Sequence, residues 1–264
     1  MTFEKVINAR ELGGLPGADG RTVRRGRLLR SGHLATATDE DVRLLRDTYN
    51  LKKIFDFRTL DEISFQPDRE IPGAEHIVLP TLDEEAEKRT GDAVPAETWL
   101  RLPEHIVRLA FTPFFKQRAK DLYPSLVGSE YSQLQYAAFL NLILDTPEGA
   151  VLWHCSQGKD RTGIGAAFVL GALGAGRDTI VRDFDLSNRS YMPLVQRLVR
   201  EVEALGGREE EKEVIRAFMG VSTRNFVSTL DLIDARYGSL EHYILDTLGL
   251  TPADLRTLRD RYLE

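Results

Sequence analysis

The chain has 264 residues, 42% of them hydrophobic, enough to bury the core of one large domain. A formal net charge of −6 argues against a nucleic-acid partner, which favours a basic domain. The single cysteine excludes an intrachain disulfide and a cysteine zinc site, and an active thiol needs a reducing compartment such as the cytoplasm.

The opening Met1-Thr2-Phe3-Glu4-Lys5 lacks the apolar stretch of a secretory signal. Export by a route that leaves no such signal stays open. No run approaches the roughly eighteen apolar residues of a transmembrane helix. Arg21, Arg24, Arg25, Arg27 and Arg30 crowd one short stretch. Such a cluster is either solvated surface or a basic rim that draws an anionic phosphoprotein or a peripheral contact with anionic lipid. Thr38-Asp39-Glu40-Asp41 predicts a capped helix carrying Val42, Leu44 and Leu45. Residues 53–57 and 76–79 predict buried strands.

Residues 82–130 change character. Pro95, Pro103, Pro113 and Pro124 divide a charged, helix-forming stretch that also holds Trp99, Phe111, Phe114 and Phe115. This segment is expected to be a helical insertion within a single domain spanning 1–264. It is either a lid over a pocket or an ordinary packed layer. Residues 136–144 and 177–188 predict further helices, and the rest is helical, with Ser239 and Thr251-Pro252 suited to helix starts. Met192 and Met219 sit at helical spacing and are expected in the core. His33, His76, His105 and His242 are scattered without ligand spacing or accompanying carboxylates, so no metal site is expected. His33 follows Arg30-Ser31-Gly32, so it either approaches the pocket or, the preferred reading, lies at the surface.

The chemistry lies in His154-Cys155-Ser156-Gln157-Gly158-Lys159-Asp160-Arg161-Thr162-Gly163. The apolar run 150–153 before it reads as a strand, and 164–170 after it as a helix. A tight loop leading into a helix N-terminus aims several backbone N–H groups at one phosphate. Cys155, beside that N-terminus and Arg161, has the setting of a low-pKa thiolate nucleophile. Arg161 offers a planar fork to two phosphate oxygens, which lysine does not. Ser156 and Gln157 belong to the loop wall, Gln157 at the mouth. Gly158 permits a turn at positive φ and keeps a Cβ out of the pocket. Lys159 adds charge at the rim. Thr162 caps the following helix and gives its hydroxyl to the sulfur. His154 orients the loop. Asp160, five positions after the cysteine, is either the general acid and base or an ion-pair brace for Arg161 or Lys159.

Three other readings of the loop fit it less well. A buried lone cysteine is ordinarily a small core residue, yet here the match extends well beyond Cys and Arg. A nucleotide P-loop requires Gly at 153 and Ser or Thr at 160, where Trp153 and Asp160 stand. A rhodanese-type sulfur transferase gives no reason for Gly158-Lys159-Asp160-Arg161-Thr162-Gly163. The alternative function is a phosphate-binding pseudophosphatase module, but the nucleophile and the arginine are both present.

This loop resembles that of a bacterial tyrosine phosphatase family that includes mycobacterial and listerial enzymes. Asn8-Ala9-Arg10-Glu11-Leu12-Gly13-Gly14, Gly26-Arg27-Leu28-Leu29-Arg30-Ser31-Gly32 and Ile54-Phe55-Asp56-Phe57-Arg58-Thr59-Leu60-Asp61-Glu62 resemble three further stretches of it. Ala9 stands where an aromatic is usual, and Gln157 where a small residue is common. The resemblance implies an α/β fold with a central, mostly parallel sheet flanked by helices. It implies hydrolysis through a phosphocysteine, without metal or organic cofactor. The implied substrates are phosphorylated protein (phosphotyrosine, in some members phosphoserine or phosphothreonine) and phosphoinositides. It also implies Asp56 as a general acid, in competition with Asp160, and Arg58 as a substrate-binding residue. Oligomeric state is not legible.

Overall fold

The computed structural model describes residues 3–90, 95, 97–98 and 102–264. Five strands form one sheet: β1 (Arg10–Glu11), β2 (Leu28–Ser31), β3 (Leu51–Asp56), β4 (Glu75–Val78) and β5 (Ala150–His154), in the order β1-β2-β5-β3-β4. Only β1 runs antiparallel; β2, β5, β3 and β4 are parallel. β5 is therefore central, and its register sets His154 between Ser31 and Asp56. The period of two is plain in β5. Val151 and Trp153 join one core, and Ala150 and Leu152 join the core on the other face.

On the second face lie Leu34, Leu45, Leu51 and Ile54. They pack with the short helix α1 (Asp39–Arg43), which continues into a π-helical turn over Leu44–Thr48. Thr38 and Asp41 form the expected capping box, each side chain accepting from the other's backbone N–H. α2 (Leu60–Phe65) follows β3 with the same device, Thr59 with Glu62. The strand expected at 76–79 exists as β4, but it is an edge strand with mostly exposed side chains, not a buried one.

The segment 82–130 contains α3 (Glu84–Thr90), α4 (Leu102–Leu109) and α5 (Pro113–Gly128). Pro113 opens α5 as a first-turn proline. Pro124, expected as a break, lies inside that helix. Trp99 lies outside the described residues. Then come α6 (Glu130–Leu144), α7 (Asp160–Ala172), α8 (Arg177–Leu186), α9 (Asn188–Ala204), α10 (Glu209–Met219), α11 (Thr223–Tyr237), α12 (Leu240–Asp246) and α13 (Pro252–Tyr262). Ser239 and Thr251 are the N-caps of α12 and α13. α4, α5, α9 and α10 share a core of their own, built on Ile106, Phe115, Leu198, Ile215 and Met219. Met192 is not part of it; it is 38% exposed.

α7 runs through the main core, buried from Thr162 to Ala172. Gly163 makes this possible, since a Cβ there would stand 2.6 Å from the Phe184 ring. α7 thus sits directly behind the loop it terminates. The fold is α/β, with a mostly parallel central sheet flanked by helices. Among the described residues no helix is long and apolar enough to cross a membrane.

Candidate active site

The loop 155–159 leaves the C-terminal end of the central strand β5 and enters α7, the edge at which parallel sheets bind ligands. A cavity of about 890 Å³ opens there. Cys155, Ser156, Gln157, Lys159, Asp160 and Arg161 all line it, and Gly158, Thr162, Asp56 and Arg58 do not.

Gly158 adopts φ +66° as expected, for a different steric reason. A Cβ there would strike the Ser31 backbone of β2 at 2.3 Å, not a bound phosphate. Its carbonyl accepts from Asn8 Nδ2 at 2.7 Å and from the buried Arg30 Nη2 at 3.0 Å. Arg30 in turn lies 2.5 Å from Asp183, which also pairs with Arg10 at 2.9 Å. Burial, with Arg10 close by, lowers the Arg30 pKa to about 10, so it stays charged at neutral pH. The first strands of the chain thus clamp the loop through a buried ion cluster. Removing one partner of such a cluster costs about 3–5 kcal/mol.

The rest of the arginine-rich stretch does not rim the cavity. Arg21 and Arg24 bond to residues 259–263 at the end of the chain, Arg27 to the carbonyls of Pro147 and Gly149, and Arg25 to Glu11. None of these residues lines the cavity.

Cys155 is buried at the cavity floor. Burial alone would raise its thiol pKa. The Arg161 charge and the hydroxyl and N–H of Thr162 outweigh burial and hold it below the ordinary value. α7 begins at Asp160, with Lys159 as N-cap, so Thr162 does not cap the helix. Its buried hydroxyl has no hydrogen-bond partner in the structure, and it is among the groups that lower the Cys155 pKa.

Arg161 is fixed by Glu62. Nη1 and Nη2 donate to the two Glu62 carboxylate oxygens at 2.6 and 2.7 Å, and Nη1 also donates to Phe57 O at 3.3 Å. Two N–H groups remain, on Nε and Nη2, along one edge of the guanidinium. That edge suits two phosphate oxygens. Glu62 also accepts from Ser156 Oγ at 2.5 Å and from Thr59 N at 3.0 Å. Burial would raise its carboxyl pKa; Arg161, Ser156 and Thr59 bring it down to about 2. Sequence reasoning assigned Glu62 no role. Its only local signal is Thr-x-x-Glu, the capping box of α2.

Asp160 accepts from Tyr123 Oη at 2.8 Å and pairs closely with Lys159 Nζ. Lys159 is buried and also donates to Ala217 O at 3.3 Å, so it is a structural cation, not an exposed rim charge. Tyr123, on α5, and Ala217, on α10, tie the loop to the helical half of the molecule. Gln157 lies in the cavity wall, with its carbonyl accepting from Tyr191 Oη at 2.7 Å. His33, expected on the surface, is nearly buried and lines the cavity. Burial lowers its pKa.

Asp56 and Arg58 turn the other way. Arg58 Nε donates to both Asp56 oxygens at 2.9 and 3.0 Å, Nη2 reaches Asp56 and Asp68 at 2.6 and 2.7 Å, and Nη1 binds Gln66 O at 2.8 Å. Burial would raise the Asp56 pKa, but His154, His76 and Arg58 hold it far below the ordinary range. The structure brings neither residue to the cavity. It does bring His76 and His154 together with Asp56 and Asp68, correcting the expectation that carboxylates do not accompany the histidines.

The segment 82–130 supplies one wall of the cavity through Leu82, Leu102, Phe114, Leu122 and Ser125, and Phe218 of α10 joins it.

Comparison with known proteins agrees with this geometry. The model of a tyrosine phosphatase family matches residues 1–264. A Cupriavidus necator protein that bears a tyrosine-protein phosphatase name is 31% identical over 97% of this chain and 86% of its own length. The triple specificity protein phosphatase PtpB of Mycobacterium tuberculosis is 28% identical over 90% of this chain and 91% of its own. A tyrosine-protein phosphatase of Nostoc commune is 35% identical over 27% of this chain and 26% of its own. The chain belongs to the tyrosine phosphatase family.

Proposed function

We propose that the protein hydrolyses phosphate monoesters, phosphotyrosine on proteins foremost, through a phosphocysteine at Cys155. The observation that carries this reading is the Cys155–Arg161–Glu62 arrangement. A thiol held below its ordinary pKa shares the cavity with a guanidinium fixed by Glu62 and keeping one N–H edge.

The Cys155 sulfur attacks phosphorus, the P–O ester bond breaks, and the leaving oxygen takes a proton from Asp160. Water then attacks the phosphocysteine. Asp160 takes the water proton, the P–S bond breaks, and the thiolate leaves toward the Thr162 hydroxyl. Arg161 and the loop N–H groups hold the equatorial oxygens throughout. Ser156, Gln157 and Lys159 shape the pocket around them, while Gly158 and Arg58 support it from behind. No metal or organic cofactor enters the scheme.

The apolar wall formed by Leu82, Leu102, Phe114, Leu122 and Phe218 suits an aryl arm with the phosphate at the floor. A phosphoinositide headgroup needs net positive charge at the mouth, whereas Lys88 and Arg118 line the cavity together with Asp61, Glu84 and Asp121, and the arginine-rich stretch is engaged elsewhere. Phosphoserine, phosphothreonine and phosphoinositides therefore rank below phosphotyrosine.

The test is steady-state turnover of a phosphotyrosine peptide beside a phosphatidylinositol phosphate panel, by wild type and Cys155→Ser. Turnover of the peptide should be highest, and the variant should lose on the order of 10⁴-fold or more while still binding phosphate. Residual hydrolysis by Cys155→Ser would sink the covalent step. No turnover by the reduced wild type would return the phosphate-binding module.

A further inference from the structure

Three tyrosines hold the phosphate loop and the start of α7 by their hydroxyls. Tyr136 Oη donates to Arg161 O at 3.0 Å, and Tyr191 Oη donates to Gln157 O at 2.7 Å. Both of those bonds end on the backbone. The third ends on a side chain that the reaction uses: Tyr123 Oη donates to Asp160 Oδ1 at 2.8 Å.

The direction of that hydroxyl is fixed. It carries one hydrogen. Ser222 N donates to Tyr123 Oη at 3.3 Å, so an oxygen lone pair faces Ser222 and the hydrogen is left for Asp160. Ser222 is itself held. It is the N-cap of α11, its Oγ accepting from Asn225 N at 3.3 Å and donating to Glu213 at 3.3 Å. The Tyr123 ring is buried, edge-on to Phe184 and Phe226 with centroids 5.4 and 6.3 Å away. Burial and the Asp160 charge hold the phenol pKa well above its ordinary value, so the hydrogen stays on Oη at neutral pH. Asp160 Oδ1 is therefore an acceptor in both states of the carboxyl, and any proton on Asp160 sits on Oδ2. Lys159 Nζ pairs with Oδ2 in the charged form and also donates to Ala217 O at 3.3 Å. That second bond keeps the ammonium in place when a proton occupies Oδ2.

We propose that Tyr123 is a positioning residue for proton transfer: it holds Asp160 by Oδ1, so that Oδ2 alone gives the proton to the leaving oxygen and takes one back from water. The inference rests on Asp160 as the acid and base. In the first half-reaction the Oδ2–H bond breaks as the proton passes to the leaving oxygen, and a carboxylate remains. In the second, the attacking water's proton forms that bond again. Tyr123 keeps its own hydrogen throughout and touches no substrate. It lies on α5, whose Phe114 and Leu122 line the cavity, so the helix that meets the aryl arm also sets the acid.

The experiment compares kcat and KM of the full-length wild type, Tyr123→Phe, Asp160→Asn and the double variant on two phenyl phosphates, one with a poor and one with a good leaving group. Phenylalanine keeps the ring between Phe184 and Phe226, so the fold is retained. Tyr123→Phe should lower kcat about tenfold on the poor leaving group, with KM unchanged, and should recover on the good one. In the Asp160→Asn background the same substitution should add no further loss, because Tyr123 acts through Asp160. Tyr191→Phe, which removes a hydroxyl from a backbone carbonyl of the same loop, is the control and should show no dependence on leaving group. Equal loss on both substrates, or losses that multiply in the double variant, would overturn the proposal and leave Tyr123 a packing residue. Asp160→Asn without leaving-group dependence would remove the acid reading and this inference together. Dependence in Asp160→Asn but not in Tyr123→Phe would remove the inference alone.

Discussion

The two faces of the phosphate loop carry the same kinds of charge in opposite arrangements. Behind it, the side chains of Asp56, Asp68, Arg58 and His154 are covered and directed at one another. In front, Glu62 fixes Arg161 but leaves one guanidinium edge toward the cavity, and Asp160 lines that cavity between Tyr123 and Lys159. Asp56-Phe57-Arg58 and Asp160-Arg161 look alike as text. What separates them is whether the charge meets the cavity or only its neighbours. The back face resists rearrangement because any change strands a buried charge. The front face retains unsatisfied donors aimed where a phosphate would sit.

Exchanging the arginines tests this contrast most severely. Arg161→Lys keeps the charge and loses the bidentate edge, so kcat on an aryl phosphate should fall about 10²–10³-fold. Arg58→Lys should instead lower the unfolding midpoint, with kcat of the folded fraction little changed. Parallel measurement of kcat and thermal midpoint for both variants decides. Near-normal turnover by Arg161→Lys would remove it from the transition state.

The aspartates give the next largest effect. Asp160→Asn should slow hydrolysis of a phenyl phosphate with a poor leaving group by about 10²-fold and recover on one with a good leaving group. Asp56→Asn, which strands Arg58, should destabilise the fold with no dependence on leaving group. A reversed pattern would assign the acid to Asp56 and require the back face to open during turnover.

How much of this the sequence carried depends on the range of each interaction. The loop, its flanking strand and its helix were legible because residues 150–170 are contiguous and their periods change at the boundary. Thr38, Ser239 and Thr251 were legible as caps because a cap bonds three residues on. Glu62 was not, because its partners Ser156 and Arg161 lie 94 and 99 residues away. The same distance in sequence hid His76 from His154, made Lys159 look like a rim charge, and left the arginine-rich stretch open to a lipid reading. Pro124 shows a local rule yielding to tertiary packing. Its neighbours Tyr123 and Leu126 are buried on either side of it, and α5 continues through.

The smallest expected effect separates Glu62 as a brace from Glu62 as a cap. Its folded pKa is about 2 against an ordinary 4.5. A depressed carboxyl adds stability that is fully present above the ordinary value and is lost as pH falls toward the folded one. Glu62→Gln keeps hydrogen-bonding atoms for Thr59 and Ser156 but removes the charge that Arg161 pairs with. Wild type should therefore melt above Glu62→Gln at neutral pH, and the gap should close as pH falls from about 4.5 toward 2. Subtracting the variant cancels the other depressed carboxylates, Asp56, Asp68 and Asp183. With Arg161 less firmly oriented, KM for phosphate esters should rise together with a fall in kcat of about tenfold. A constant gap across the pH range with unchanged kinetics would mean that Glu62 serves only the start of α2.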